Sequence, residues 1–290
     1  MKKIVAYLLF GLTIGAASSC EEIPPAIDFT PINTALLDST ALLSTPPMAT
    51  HKVVLIEEFT GMKCVNCPNG HLVTKALHEL HDDSVIVMAI HSYPIAPPAS
   101  WNNLQINEGV ALDNYLGPAP AWPAASVDRV AVSGTIINNA ASWGSTVISQ
   151  LSQSPDVLIT IKNNYDATPI VTDSGTVTKL KTKITVVLLS SYTSTLKLSV
   201  MLQEDHIIAP QETSAGINNE YDHEFVLRDM FTSYNGTALS AQNTLGRLYL
   251  KEFELYIPTG WNMNNSNVVA FVHEEGAIKK VLQAAIAPVN

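Results

Sequence analysis

At Pro155 the hydrophobic period of the chain changes, and few folds accommodate such a change. Before it, apolar residues come in continuous runs around a segment of helical period; after it, they alternate with polar residues. Continuous short runs suit strands buried on both faces, and alternation suits antiparallel strands with one covered face. An α/β part is expected first and an all-β part second.

The first part opens with VVLIEEF (residues 53–59), a strand with both faces buried. From Cys64 to about Leu80, the residues Leu72, Val73, Ala76, Leu77 and Leu80 recur at three and four, which predicts a helix with one apolar stripe. SVIVMAIHS (84–92) is a second buried strand, so a right-handed βαβ unit with parallel strands is expected. Residues 93–125, with six prolines and Trp101 and Trp122, read as a functional loop around a helix from Leu104 to Leu116. ASVDRV (125–130) reads as a short strand, and 136–153 ends in a helix. Downstream, DVLITI, LKTKITVVL, TLKLSVML, GRLYLKEFELYI, NVVAFVHE and KKVLQAAIAPV supply six or seven strands, enough for an antiparallel β-sandwich with one wet and one dry face.

The start of the chain has the form of an export signal. Lys2 and Lys3 precede an apolar run from Ile4 to Ala17, then small residues and Cys20. That run is too short for a lasting membrane span, and small residues ending at a cysteine resemble the lipobox of bacterial lipoproteins. Residues 1–19 are expected to be a signal peptide, Cys20 the lipidated residue, and 20–50, with five prolines and no sustained period, a tether. With 26 acidic against 16 basic residues, no basic stripe can follow a nucleic acid.

Only three cysteines exist, at 20, 64 and 67. With lipid on Cys20, Cys64 and Cys67 have only each other, in a compartment where disulfides persist. The pair is then oxidised, metal-bound or kept reduced by a partner. At i and i+3 at a helix start, the helix dipole and Lys63 favour the Cys64 thiolate, and Cys67 can reach it. Glu58, at the end of a buried strand, is costly unless paired or protonated, and is placed to exchange a proton with Cys67. His91 ends the second parallel strand at the same sheet edge, as a proton-transfer neighbour or a backbone-bonded strand end. His78 and His81 sit at a zinc-compatible spacing but read as a solvated helix end, and His206, His223 and His273 carry no signal.

EEFTGMKCVNCPNG, followed some fifty-five residues later by WPAASVDR, resembles the thioredoxin-like domain of the Bacteroidetes outer-membrane-protein family named for a mass of twenty-eight kilodaltons. HEFVLRDMF and VVAFVHEEGAIKKVLQA are similar to that family's second domain. The resemblance implies a thioredoxin-like domain over 51–153 and a β-sandwich of immunoglobulin-like type over 155–290. It implies that Cys64 and Cys67 are the redox pair, Glu58 the buried acid, and Pro123 a cis-proline facing the cysteines with Trp122 as a groove wall. The function expected is thiol–disulfide exchange on extracytoplasmic proteins by an outer-membrane lipoprotein, held to the membrane by lipid on Cys20, without cofactor or resident metal.

Two competitors stand beside it. One is a surface binding or adhesion lipoprotein with the pair as a stable bond: Val65-Asn66 between the cysteines gives no oxidising charge, and Glu21-Glu22 resembles an acidic surface-export signal. The other is Cu(I) binding, since GMKCVNC resembles a copper-carrying loop, with Met62 and His71 as extra ligands. Pro68, the glutamates before the loop and Trp122-Pro123 oppose copper.

Overall fold

A computed structural model describes residues 36–48, 51–240 and 242–290. Residues 1–19, expected as a signal peptide, and Cys20, expected to be lipidated, therefore lie outside the described residues. The stretch expected as a tether contains β1 (Asp38–Leu42), paired antiparallel with a strand far downstream. An edge strand needs only main-chain groups to pair, so its five exposed residues leave no hydrophobic period to read.

The βαβ unit is present. β2 (Val54–Thr60) is followed by α1 (Cys67–His81) and then β3 (Val85–His91), and the strands run parallel with Glu58 opposite Ala89 and Thr60 opposite His91. Every residue of both strands is buried. The long loop carries α2 (Asn107–Leu116), β4 (Ala124–Val127) adds antiparallel to β2, and α3 (Ala140–Leu151) follows. One face of this sheet packs Val54, Ile56, Val85 and Val87 against Trp143 and Val147 of α3 and Leu77 of α1. The other packs Leu55, Phe59, Met88 and Ile90 against Leu112 and Leu116 of α2.

Two details depart from the sequence pattern. α1 starts at Cys67, not Cys64, because Cys64 lies in a turn in which the Cys64 N–H donates to the Gly61 carbonyl, 3.0 Å. Its inner face is also not the Leu72 stripe: Leu72 and Leu80 are 65% and 73% exposed, and Cys67, Gly70 and Thr74 are the buried positions. The helix lies on its smallest side chains, which lets its backbone approach Pro123 and Trp143.

After Pro155 come β5 (Val157–Thr172), β6 (Gly175–Leu188), β7 (Leu196–Glu204), β8 (Ile207–Thr213), β9 (Gly216–His223), β10 (Val226–Met230), β11 (Thr237–Ala238), β12 (Arg247–Pro258), β13 (Ser266–Glu274) and β14 (Val281–Pro288). The antiparallel sheet β1-β12-β6-β5 packs on the Leu198, Val200 and Leu202 face of β7 and on Val268, Ala270 and Val272 of β13. β7 was expected to be wet on its other face, yet all nine of its residues are buried. Its polar side chains are satisfied there: Lys197 pairs with Glu275, Ser199 bonds His273, and Gln203 donates to the Val87 carbonyl.

That last bond crosses between the two parts of the chain. An eight-stranded mixed sheet runs β14-β13-β7-β10-β3-β2-β4, with β11 beside β7. Its seam is β10 lying parallel to β3, where the Ala89 N–H donates to the Phe225 carbonyl at 2.7 Å. The described chain is mostly β, with antiparallel and mixed sheets and three α-helices. β8 and β9 form a separate hairpin that projects from β7 back over the start of α1.

Candidate functional site

β2 delivers the chain to Gly61, where a β-carbon would overlap Tyr93, and the turn Met62-Lys63-Cys64 leads into α1 with Pro68 in its first turn. Cys64 and Cys67 are joined in a disulfide, Cα–Cα 5.3 Å. Neither cysteine meets solvent freely, at 3% and 1% exposed.

The hairpin is what covers them. Gln211 donates its side-chain amide to the carbonyls of Cys64 (3.0 Å) and Gly61 (3.2 Å), and the Glu212 N–H donates to the Met62 carbonyl at 2.8 Å. Lys63 and Glu212 form an ion pair across the same seam. Met62, Leu104, Ile207, Ala209 and Val226 close it with apolar contact. The main chain of the Cys64 turn is thus held by the cover itself.

Trp122–Pro123 is a cis peptide bond, as the resemblance implies, and Pro123 rests on α1 at Gly70. Trp122 stands edge-on to Tyr93, ring centroids 5.4 Å apart, and is packed partly into the core. Its indole N–H is buried without a partner among the described residues.

Both glutamates of β2 are fully buried, on opposite faces of the sheet. Glu57 accepts two hydrogen bonds from the Arg129 guanidinium (2.7 and 2.9 Å) and one from Ser126. Arg129 has a left-handed backbone and lies over the Phe271 ring at 4.9 Å. Glu58 accepts from Thr74 Oγ1 at 2.6 Å and from His71 Nδ1 at 3.4 Å, and its other oxygen has no partner among the described residues. His71 is held between Glu58 and Glu224, and Met62 is packed in the apolar seam, so both expected extra copper ligands are engaged elsewhere.

On the Cys67 side lies a small cavity of about 10 Å³, roughly the room one water needs, lined by Cys67, His71, His91, Gln211, Tyr221 and His223 among others. His91 is at this edge as expected from the strand order, 5.5 Å between ring centroids from His223. His223 also contacts Tyr221 edge-on at 4.7 Å. His91 Nδ1 and His223 Nε2 have no hydrogen-bond partner among the described residues.

Burial holds His91 well below the ordinary histidine range, with neighbouring His223 acting the same way. It pushes His223 down to about 4. Burial opposes charge on His71 too, but the hydrogen bonds to Glu58 and Glu224 outweigh it and raise His71. Tyr221 is pushed up to about 12 by burial and then by the charge of Glu58. Two imidazoles held neutral by burial, and a third whose carboxylate partners favour its charged form, therefore line the cavity with the inner cysteine.

Sequence reasoning missed His223, Gln211 and Tyr221. The hairpin IIAPQETSAGINNEYDH lacks a clean alternation, and only Gly216, at φ 111°, signals its turn. His78 bonds the Val85 carbonyl and does not join the site. His206 and Asp222 form a 3.0 Å ion pair near Glu224, which is already taken by Lys75 and His71.

The family model described as "Outer membrane protein Omp28" matches residues 111–289. Among solved structures, HBP35 of Porphyromonas gingivalis is similar at 18% identity and TM-score 0.63, covering 84% of this chain and 77% of that one. Protein AGR_C_4864 from Agrobacterium tumefaciens is similar at 12% identity and TM-score 0.48, covering 83% of this chain and 97% of that one. No curated protein matches the chain. Among the described residues no helix is long and apolar enough to cross a membrane.

Proposed function

The chain belongs to the Omp28 outer membrane protein family, and on that premise we propose that it exchanges thiols and disulfides with extracytoplasmic proteins through Cys64 and Cys67, under a movable hairpin cover. In this reading residues 51–153 are a thioredoxin-like domain and 155–290 an immunoglobulin-like β-sandwich sharing one sheet with it. Lipid on Cys20 holds the protein at the outer membrane, and its partners are exported proteins or peptides, not nucleic acid.

The observation that carries the reading is the polar cavity against Cys67. A bond kept only for stability gains nothing from three imidazoles lining the cavity at its inner sulfur, one of them backed by the buried Glu58 carboxylate, and burying such groups is costly. A pair that must be protonated and deprotonated uses them. In the oxidising direction a partner thiolate attacks Cys64 Sγ, the Cys64–Cys67 bond breaks, and Cys67 leaves as a thiolate. A second partner thiolate then attacks the mixed disulfide and releases Cys64. The partner is oxidised to a disulfide, and the two cysteines take up two protons. Glu58, through His71, supplies charge balance to the inner sulfur, and Pro123 with Trp122 borders the peptide site.

A surface binding protein with a permanent bond is the second reading. It is favoured by the 3% and 1% exposure of the two cysteines under the hairpin. The redox potential of the folded protein, measured beside trapping by a Cys67→Ala variant in cells, separates the two. A potential below about −300 mV with no mixed disulfides trapped leaves the binding reading standing and ends the exchange reading.

A further inference from the structure

We propose that His223 is the proton acceptor for Cys67, delivered to the inner sulfur by the hairpin of the β-rich part. The inference rests on the exchange reading above and adds to it a residue from outside the cysteine-bearing half. His223 and Cys67 line the same cavity, which has roughly the room one water needs, so a proton would pass between them directly or through a single water.

The other groups around the sulfur serve less well. His71 is engaged by carboxylates on both ring nitrogens, at 3.4 and 3.5 Å. Glu58 reaches the cavity only through His71, and Thr74 occupies the same Glu58 oxygen. His91 belongs to β3 of the cysteine-bearing sheet and is held against charge by burial and by His223 itself, whereas His223 comes in on the cover. His223 keeps Nε2 unpartnered, and burial keeps the ring neutral with a lone pair to offer. The groups facing it are His91 from β3, His71 and Cys67 from α1, Gln211 from β8, and Tyr221 and Asp222 of its own strand with Glu224 beyond. Asp222 and Glu224 are the anions near it while the disulfide is closed; a Cys67 thiolate would add one at the cavity and favour the imidazolium.

In a mixed disulfide on Cys64, the Cys67 thiol gives its proton to the His223 imidazole. The Cys67 sulfur then attacks Cys64 Sγ, the Cys64–Cys67 bond forms, and the partner's sulfur leaves with the electron pair. The imidazolium returns its proton to that leaving sulfur or to water. Because His223 rides on the cover, closing of the hairpin and resolution of the mixed disulfide become one event.

The test uses the reduced full chain mixed rapidly with dithiobis-nitrobenzoate, an aromatic disulfide. The first nitrothiolate released reports capture on Cys64, and the second reports attack by Cys67. His223→Gln should leave the first phase unchanged and slow the second by at least about ten-fold, with loss of one inflection in the pH profile of the second phase. A second phase that is unchanged, or slowed only in step with the first, overturns the role of His223. Absence of any first phase removes the exchange reading, and this one with it. Should His223→Gln not fold, nitrogen-15 NMR of the wild-type histidines decides: reduction of the disulfide should raise the His223 midpoint, and an unmoved midpoint overturns the proposal.

Discussion

Gly70 lies so close beneath Pro123 that a β-carbon at position 70 would overlap the proline ring, with Trp143 at 3.5 Å on the same side. The first turn of α1, the cis peptide and α3 are therefore fitted to one missing side chain. Gly70→Ala should cost about 1–3 kcal/mol by overpacking, although alanine is the better helix former. Thermal unfolding checks it; an unchanged midpoint would mean that Pro123 moves off the helix freely.

Glu57 and Arg129 are both without solvent contact and satisfy each other twice. Arg129→Ala strands the carboxylate and should destabilise by roughly 3–5 kcal/mol. The double variant Glu57→Gln, Arg129→Met should be less damaging than Arg129→Ala alone. Urea midpoints of the three proteins rank them, and a mild single variant would show that Glu57 takes up a proton instead.

His223 sits near 4 against about 6.5 in an unfolded chain. The folded state thus prefers its neutral form. The stabilisation is complete above about pH 6.5 and is lost as pH falls toward 4, by up to roughly 3 kcal/mol. His91 acts in the same direction. His71, raised by its carboxylates, acts in the opposite sense, with stabilisation present at low pH and lost as pH rises through its folded value. Urea midpoints between pH 7.5 and 4.5 should fall for the wild type and fall less for His223→Gln; equal slopes would place the acid sensitivity elsewhere.

Much of the α/β half was legible because its signals are local. VVLIEEF and SVIVMAIHS are runs that only doubly buried strands require, and both became parallel neighbours. The alternations after Pro155 likewise became strands. What failed depended on partners distant in sequence. Leu72 and Leu80 have helical spacing, yet the sheet accepted the Gly70-Thr74 face because small residues permit closer approach. Ser199 and Lys197 look wet until β10 and β13 flank β7 in one sheet and His273 and Glu275 supply their partners. Cys64, Cys67, Glu58 and His91 could be placed from strand order and spacing. His223 could not, since nothing in NNEYDHEF states that a hairpin folds back over 150 positions of chain.

Gln211 makes two of its hydrogen bonds to main-chain carbonyls of the Cys64 turn. Gln211→Ala removes them without touching either cysteine, and at about 1 kcal/mol each the hairpin should open more often. Reduction of the disulfide by dithiothreitol, followed by alkylation and mass measurement, should then be faster by about ten-fold or more. An unchanged rate would mean that the cover is held by the Ile207–Met62 contact instead.

The seam at Ala89 and Val226 also orders events in time. A chain made from its N-terminus contains β3 long before β10 exists, so from residue 91 until residue 226 has been added the strand keeps a bare edge. A hydrophobic edge waiting that long can pair with any other extended chain nearby.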